Sequence, residues 1–272
     1  MAERKGFFGR RAERRATDAE LAMDVDLDFS ECMEGIRNAL AGFVSHARKA
    51  GLDAPVPTAP EWTVRDLVVH QGMVHRWATA HVLGKAVDSE PLHAEGMAAP
   101  DPVIWLHDGG LDLIRALQSA PPDLEAMVFL KNAPAPRQFW ARRQCHETTI
   151  HEVDAQSAAL GRFPRAADTE ITRQIALDGI DELLNGFLTR GKSSLRSEKP
   201  LRLAIKPKDV TGSWLVHVSG APPVVEQDGN DRADLTLEAS AEALYLALWN
   251  RTDEVRGKAY DFWRRTATVS WS

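Results

Sequence analysis

Three side chains able to hold a metal, His146, Glu147 and His151, fall within one apolar-patterned stretch, Arg142 to Leu160. If that stretch is a helix, Glu147 and His151, four apart, share a face. His146 and His151, five apart, diverge by about 140° at roughly 100° per residue. That spacing excludes the H-E-x-x-H zinc-protease motif, whose histidines stand at i and i+4. What is left is a carboxylate and an imidazole one turn apart, which need a third ligand from another element.

The segment Trp62 to Lys85 offers one. Thr63 is placed to cap a helix, with Asp66 three residues on completing a capping box. Leu67, Val74 and Trp77 recur at helical spacing, and His70 falls inside that apolar stripe, which directs it to the core. His75, five residues further, belongs near a boundary or on the surface. A single histidine on an apolar face is ordinarily a hydrogen-bonded core residue. Burying a carboxylate beside an imidazole, however, is costly unless something compensates, and a divalent cation does so. His70, Glu147 and His151 therefore read as metal ligands, and three protein ligands with an open fourth position suit a catalytic zinc. Asp154, one turn after His151, either orients that ligand or forms an ordinary helix salt bridge. Cys145 sits beside His146 in sequence, but adjacent helical residues diverge by about 100°, so it reads as a packing thiol rather than a nucleophile.

These residues need helices to hold them. Phe29, Met33, Ile36, Leu40, Phe43 and Val44 recur at three- and four-residue spacing and predict a first helix from Asp28 to about Leu52. The His70 helix is the second. After a Pro- and Gly-containing loop, a third runs from Val103 to Ser119 and stops at Pro121-Pro122. The fourth, Arg137 to Leu160, places Glu147 and His151 about half-way along, so the metal would lie inside a bundle, between helices two and four. Thr169 to Thr189 is a further helical pattern, closed by Gly191-Lys192-Ser193-Ser194. The period then falls to two at Leu201-Leu203-Ile205, Trp214-Val216-Val218 and Leu235-Leu237, which predicts strands. Ala241 to Asn250 reads as a helix and Thr266 to Trp271 as a last strand. Leu244, Leu248 and Arg251 share a face, which puts Arg251 at the end of an apolar stripe.

The run from Pro57 through Glu61-Trp62-Thr63-Val64-Arg65-Asp66 to His70, followed by Phe139-Trp140-Ala141-Arg142-Arg143, His146-Glu147, His151 and Asp154-Ala155, resembles the mycothiol-dependent maleylpyruvate isomerase family of the wider DinB-like superfamily. The resemblance spans residues from about 28 to the C-terminus. It implies an α+β protein: a DinB-like four-helix bundle over 28–192, then a small sterol-carrier-like α+β domain over 193–272. It also implies a divalent ion, usually zinc, held by His70, Glu147 and His151, with mycothiol as thiol cosubstrate. In such enzymes the metal keeps a thiol as thiolate, which adds to a conjugated double bond and leaves after rotation, or attacks an electrophile and stays attached. The metal ligands serve both schemes, isomerase and S-transferase. Family members bring an arginine from the smaller domain near the site. Arg251 is the matching residue here, although Asn250 replaces the small residue expected before it. Its planar fork suits a carboxylate, with Arg76 or Arg143 as further anion-binding positions; the plain alternative is an arginine satisfying the last helix carbonyls. A reading of another class remains open, in which the metal is structural and the smaller domain binds an apolar ligand without catalysis.

Composition is consistent with these expectations. At 272 residues with 44% hydrophobic content, two domains with real cores are expected. A net charge of −6 argues against a general nucleic-acid binder. No run is long and apolar enough to span a membrane and no signal-peptide core is present, so a cytoplasmic location is expected. Two cysteines, Cys32 and Cys145, make no disulfide framework. Residues 1–27 begin with a basic run read as a disordered tail without functional weight.

Overall fold

A computed structural model describes residues 22–191, 193–229 and 232–267. The basic run at the start of the chain and most of the strand expected up to Trp271 lie outside them. Four long helices form the bundle: α1 (Phe29–Ala50), α2 (Val64–Val82), α4 (Pro102–Ser119) and α5 (Pro136–Leu160), with a short α3 (Ser89–Ala98) between α2 and α4. α1 packs along α5, and α2 lies against α4 and α5. The starts are local: Asp28 and Glu31 form a capping box on α1, Thr63 and Asp66 form the expected one on α2, and Asp101 caps α4 ahead of Pro102. Gly161, left-handed at φ 67°, ends α5.

The second part follows. α6 (Arg173–Asp181) continues into a widened π-type segment, Glu182–Leu188, and then come four strands and two helices, α7 (Ala241–Leu248) and α8 (Lys258–Thr266). The strands are β1 (Leu201–Pro207), β2 (Trp214–Val218), β3 (Val224–Gln227) and β4 (Leu235–Ala239), in spatial order β3-β2-β1-β4. β1 pairs antiparallel with β2 and parallel with β4. Leu203, Ile205, Trp214 and Val216 of the sheet, Leu244 of α7 and Trp263 of α8 are buried in one apolar cluster that is continuous with the bundle core.

The α+β architecture agrees with expectation, with three local differences. The Pro- and Gly-containing loop carries α3, which shows no apolar stripe because only Gly96 among its residues is buried. β3 is an exposed edge strand, so alternation is weak. Thr266, expected to open a strand, instead ends α8, whose Tyr260 and Trp263 are buried.

Candidate metal centre

His70, in the second turn of α2, meets Glu147 and His151, side by side on α5. One donor atom from each lies within 4.8 Å of the others. His70 Nε2 is 3.7 Å and His151 Nε2 is 3.4 Å from the same oxygen, Glu147 Oε1. Glu147 and His151 are buried, and His70 is partly open to a cavity. That cavity, of about 540 Å³, is further lined by Ala59, Trp62, Arg143, Leu188, Trp249, Asn250 and Arg251. Its size is that of an ordinary small-molecule site. Trp62 is one wall: its ring centroid is 4.9 Å from that of His70 and 6.1 Å from that of His151.

A layer of ionic contacts supports these three side chains. Asp154 accepts from His151 Nδ1 at 2.9 Å, from Thr58 Oγ1 at 2.6 Å and from two of the three guanidinium nitrogens of Arg251, Nε and Nη2, at 3.0 Å each. In the neutral form that a metal requires, Nδ1 of His151 donates to Asp154 and leaves the Nε2 lone pair facing Glu147 and His70. Arg143 donates to Glu147 Oε2 at 3.0 Å and to Glu182 of the π-type segment. Burial alone would raise the pKa of Glu147, but the imidazoles of His151 and His70 and the Arg143 guanidinium outweigh it and hold the carboxyl well below its usual range. Burial lowers His70. It would lower His151 too, but Asp154 and Glu147 outweigh it and raise that imidazole to about 9. Asp154 is held well below the usual carboxylate range, chiefly by Arg251 and His151 acting against burial.

Arg251 reaches this layer through the end of α7. Arg251 N–H binds Leu246 O and Asn250 N–H binds Ala247 O, the paired bonds of a Schellman turn, with Asn250 left-handed at φ 59°. Asparagine tolerates that conformation better than most residues, which accounts for Asn250 at a position where a small residue is expected.

The structure brings His70, Glu147, His151, Asp154, Arg143 and Arg251 together and leaves Arg76 apart. Arg76 stacks 3.8 Å over Trp105 and donates to Gly72 O, between α2 and α4, and lines neither this cavity nor its neighbour. Arg143 and Arg251 line the cavity, yet their forks are already bound to carboxylates. His75 is fully buried rather than peripheral, because α2 packs against both α4 and α5; its Nε2 contacts Gln71 at 2.8 Å and Thr148 at 3.0 Å. His146 is likewise buried, on Asp178 and near Tyr245. Cys145 is fully buried, and burial pushes its thiol well up, as suits a packing residue. Thr58, Trp62 and Glu182 were not singled out by spacing: two lie in an irregular segment and one on an element that reaches the site only through the tertiary fold.

Residues 33–156 match the family model of the mycothiol maleylpyruvate isomerase N-terminal domain, and residues 174–267 match that of the MDMPI C-terminal domain. Two crystal structures are similar: one of the mycothiol-dependent maleylpyruvate isomerase, with a TM-score of 0.57, and one of a histidine-to-alanine mutant of that enzyme, with a TM-score of 0.56. Both share 14% identity over 85% of this chain and 92% of theirs, so the likeness is one of fold. No curated protein matches in sequence.

Proposed function

The chain belongs to the mycothiol-dependent maleylpyruvate isomerase family, and on that premise we propose that it is a mycothiol-dependent metalloenzyme whose divalent ion, zinc by its donor set, is held by His70, Glu147 and His151. The observation that carries this reading is the convergence of two imidazole nitrogens and a carboxylate oxygen, from two helices, within 4.8 Å at a cavity wall. Two donors each about 2.1 Å from a tetrahedral ion lie about 3.4 Å apart. The separations of 3.4 and 3.7 Å suit a shared ion. Among the described residues no fourth metal-capable side chain joins the group, and His75 and His146 are spent on other partners.

When bound, such an ion would keep a thiol in its nucleophilic thiolate form at neutral pH. The chain's own residues prepare for that. Arg143 keeps Glu147 ionised and oriented, Asp154 fixes the His151 tautomer, and Arg251 in turn fixes Asp154. Trp62, Leu188 and Trp249 give the cavity apolar walls that limit water.

The reaction class is addition of the thiol to an unsaturated acid or other electrophile, with the thiol released in cis-trans isomerisation and retained in S-transfer. Among the described residues no helix is long and apolar enough to cross a membrane. Cys32 and Cys145 are free and buried, which accords with the reducing cytoplasm, where we place the enzyme. The test is to follow maleylpyruvate and a conjugating electrophile, each with and without mycothiol. Turnover that needs mycothiol supports the reading, and which product forms decides between isomerase and transferase. Metal content without any thiol-dependent turnover would favour a non-catalytic metal-containing ligand binder.

A further inference from the structure

His70, Arg143 and Glu147 also line a second cavity, of about 460 Å³. Two of the three proposed ligands, His70 and Glu147, therefore face both chambers, whereas His151 lines only the first, and the two chambers differ in chemistry. Residues of the first include Arg251, Asn250 and Trp249, and the last two carry a buried acceptor, Asn250 Oδ1, and a buried donor, Trp249 Nε1, without partners. The second is walled by Met73, Val74, Trp77, Met127 and Phe129. Trp77 is packed edge-on against Trp140, at 5.4 Å, and tilted against Phe129, at 6.2 Å, which makes a rigid aromatic wall.

Away from His70, Arg143 and Glu147, three polar residues break that apolar lining: Arg190, Gln144 and the exposed Ser89. Arg190, just beyond the π-type segment, lines the second chamber, and its guanidinium has no hydrogen-bond or ion-pair partner among the described residues. The arginines nearer the triad, Arg143 and Arg251, are bound to carboxylates. Gln144 lines the same chamber, is only 2% exposed, and its Oε1 has no hydrogen-bond partner. A buried acceptor without a partner is costly and is satisfied by a bound molecule that donates to it.

We propose that the second chamber receives the electrophilic substrate, and that this substrate is an unsaturated acid with an apolar or aromatic body. Its carboxylate pairs with Arg190, its body packs against Met73, Val74, Trp77 and Phe129, and a hydroxyl or amide group donates to Gln144 Oε1. The first chamber, richer in hydrogen-bonding groups, is left to the thiol. The assignment rests on the triad being the reacting centre, and it selects a substrate bulkier and more apolar than a small dicarboxylate.

The test uses the full-length, metal-loaded chain and three probes: trans-cinnamate, fumarate and cinnamyl alcohol, titrated by calorimetry. Cinnamate is expected to bind at least about tenfold more tightly than fumarate, and Arg190→Gln to weaken cinnamate about tenfold while leaving cinnamyl alcohol within about twofold. Val74→Phe, which fills the chamber, is expected to weaken both aromatic probes; circular dichroism reports whether it folds, and Arg190→Gln stands independently of it. Cinnamate that fails to bind, that binds no better than fumarate, or that is indifferent to Arg190→Gln overturns the assignment. Metal content and mycothiol titration on the same preparations separate the two levels. Their loss in wild type removes the enzyme reading, whereas an indifferent Arg190→Gln with metal and thiol intact removes only the substrate assignment.

Discussion

Arg251, in the turn after α7, binds both carboxylate oxygens of Asp154 on α5, at 3.0 Å each. Asp154 is fully buried and holds His151 Nδ1 at 2.9 Å. A residue from the C-terminal part of the chain thus fixes the orientation of a proposed metal ligand in the bundle. The fork expected to bind a substrate carboxylate is engaged by Asp154 in this structure, and we propose that Arg251 acts through Asp154, as a positioning residue.

Arg251→Lys is expected to weaken zinc affinity about as much as Arg251→Ala, on the order of 10- to 100-fold, because an ammonium cannot bind both oxygens at once. Competition with a chromogenic chelator measures this. Affinity unchanged in both variants would mean that Asp154 needs no help from the second part of the chain.

Arg143 is 2% exposed and stands between Glu147 and Glu182. Arg143→Met leaves two buried carboxylates without their cation and is expected to cost roughly 3–5 kcal/mol of stability. Saturating zinc should recover part of that loss, since an ion on Glu147 replaces one of the missing contacts. Denaturant unfolding with and without zinc reports both effects.

His75 gives a pH dependence. Burial, with Arg76 adding, pushes its imidazole down to about 3. The unfolded chain binds its proton near pH 6.5, so the native state is favoured in full above that pH and loses stability as pH falls from about 6.5 towards 3, by roughly 1.4 kcal/mol per unit at most. In His75→Gln the slope of unfolding free energy against pH between 6.5 and 5 should be shallower by about that amount. An unchanged slope would show that His75 is protonated or solvated in the native state.

Gly72 sits where α2 meets α4. A Cβ there would come within 2.4 Å of the Trp105 ring and 3.2 Å of Leu106 Cα. Gly72→Ala is expected to cost about 1–3 kcal/mol by overpacking and, two residues from His70, to reduce metal content as well. Thermal melts and metal analysis of the variant check both.

Much of this was legible in the sequence because it was local. The Thr63 and Asp66 capping box, the apolar stripe of α1 and the one-turn spacing of Glu147 and His151 each follow from a few neighbouring residues. What was not legible depends on where elements meet. The burial of His75 follows from α2 having neighbours on two sides, and no single stripe announces that. Arg76 has the right charge on the right helix, yet the ring of Trp105 claims it. Thr58, Trp62 and Glu182 reach the site from irregular or distant segments, and the fork of Arg251 is taken by Asp154, 97 residues away in sequence.

We propose that His70, Glu147 and His151 hold an ion that binds a thiol. Metal content and calorimetric titration with mycothiol in two buffers of different ionisation enthalpy, on wild type and on His151→Ala, test it most directly. About one equivalent of zinc per chain, with proton release on thiol binding in the wild type and neither in the variant, is the expected result. Zinc retained by His151→Ala, or mycothiol binding without proton release in the zinc-loaded wild type, would contradict it.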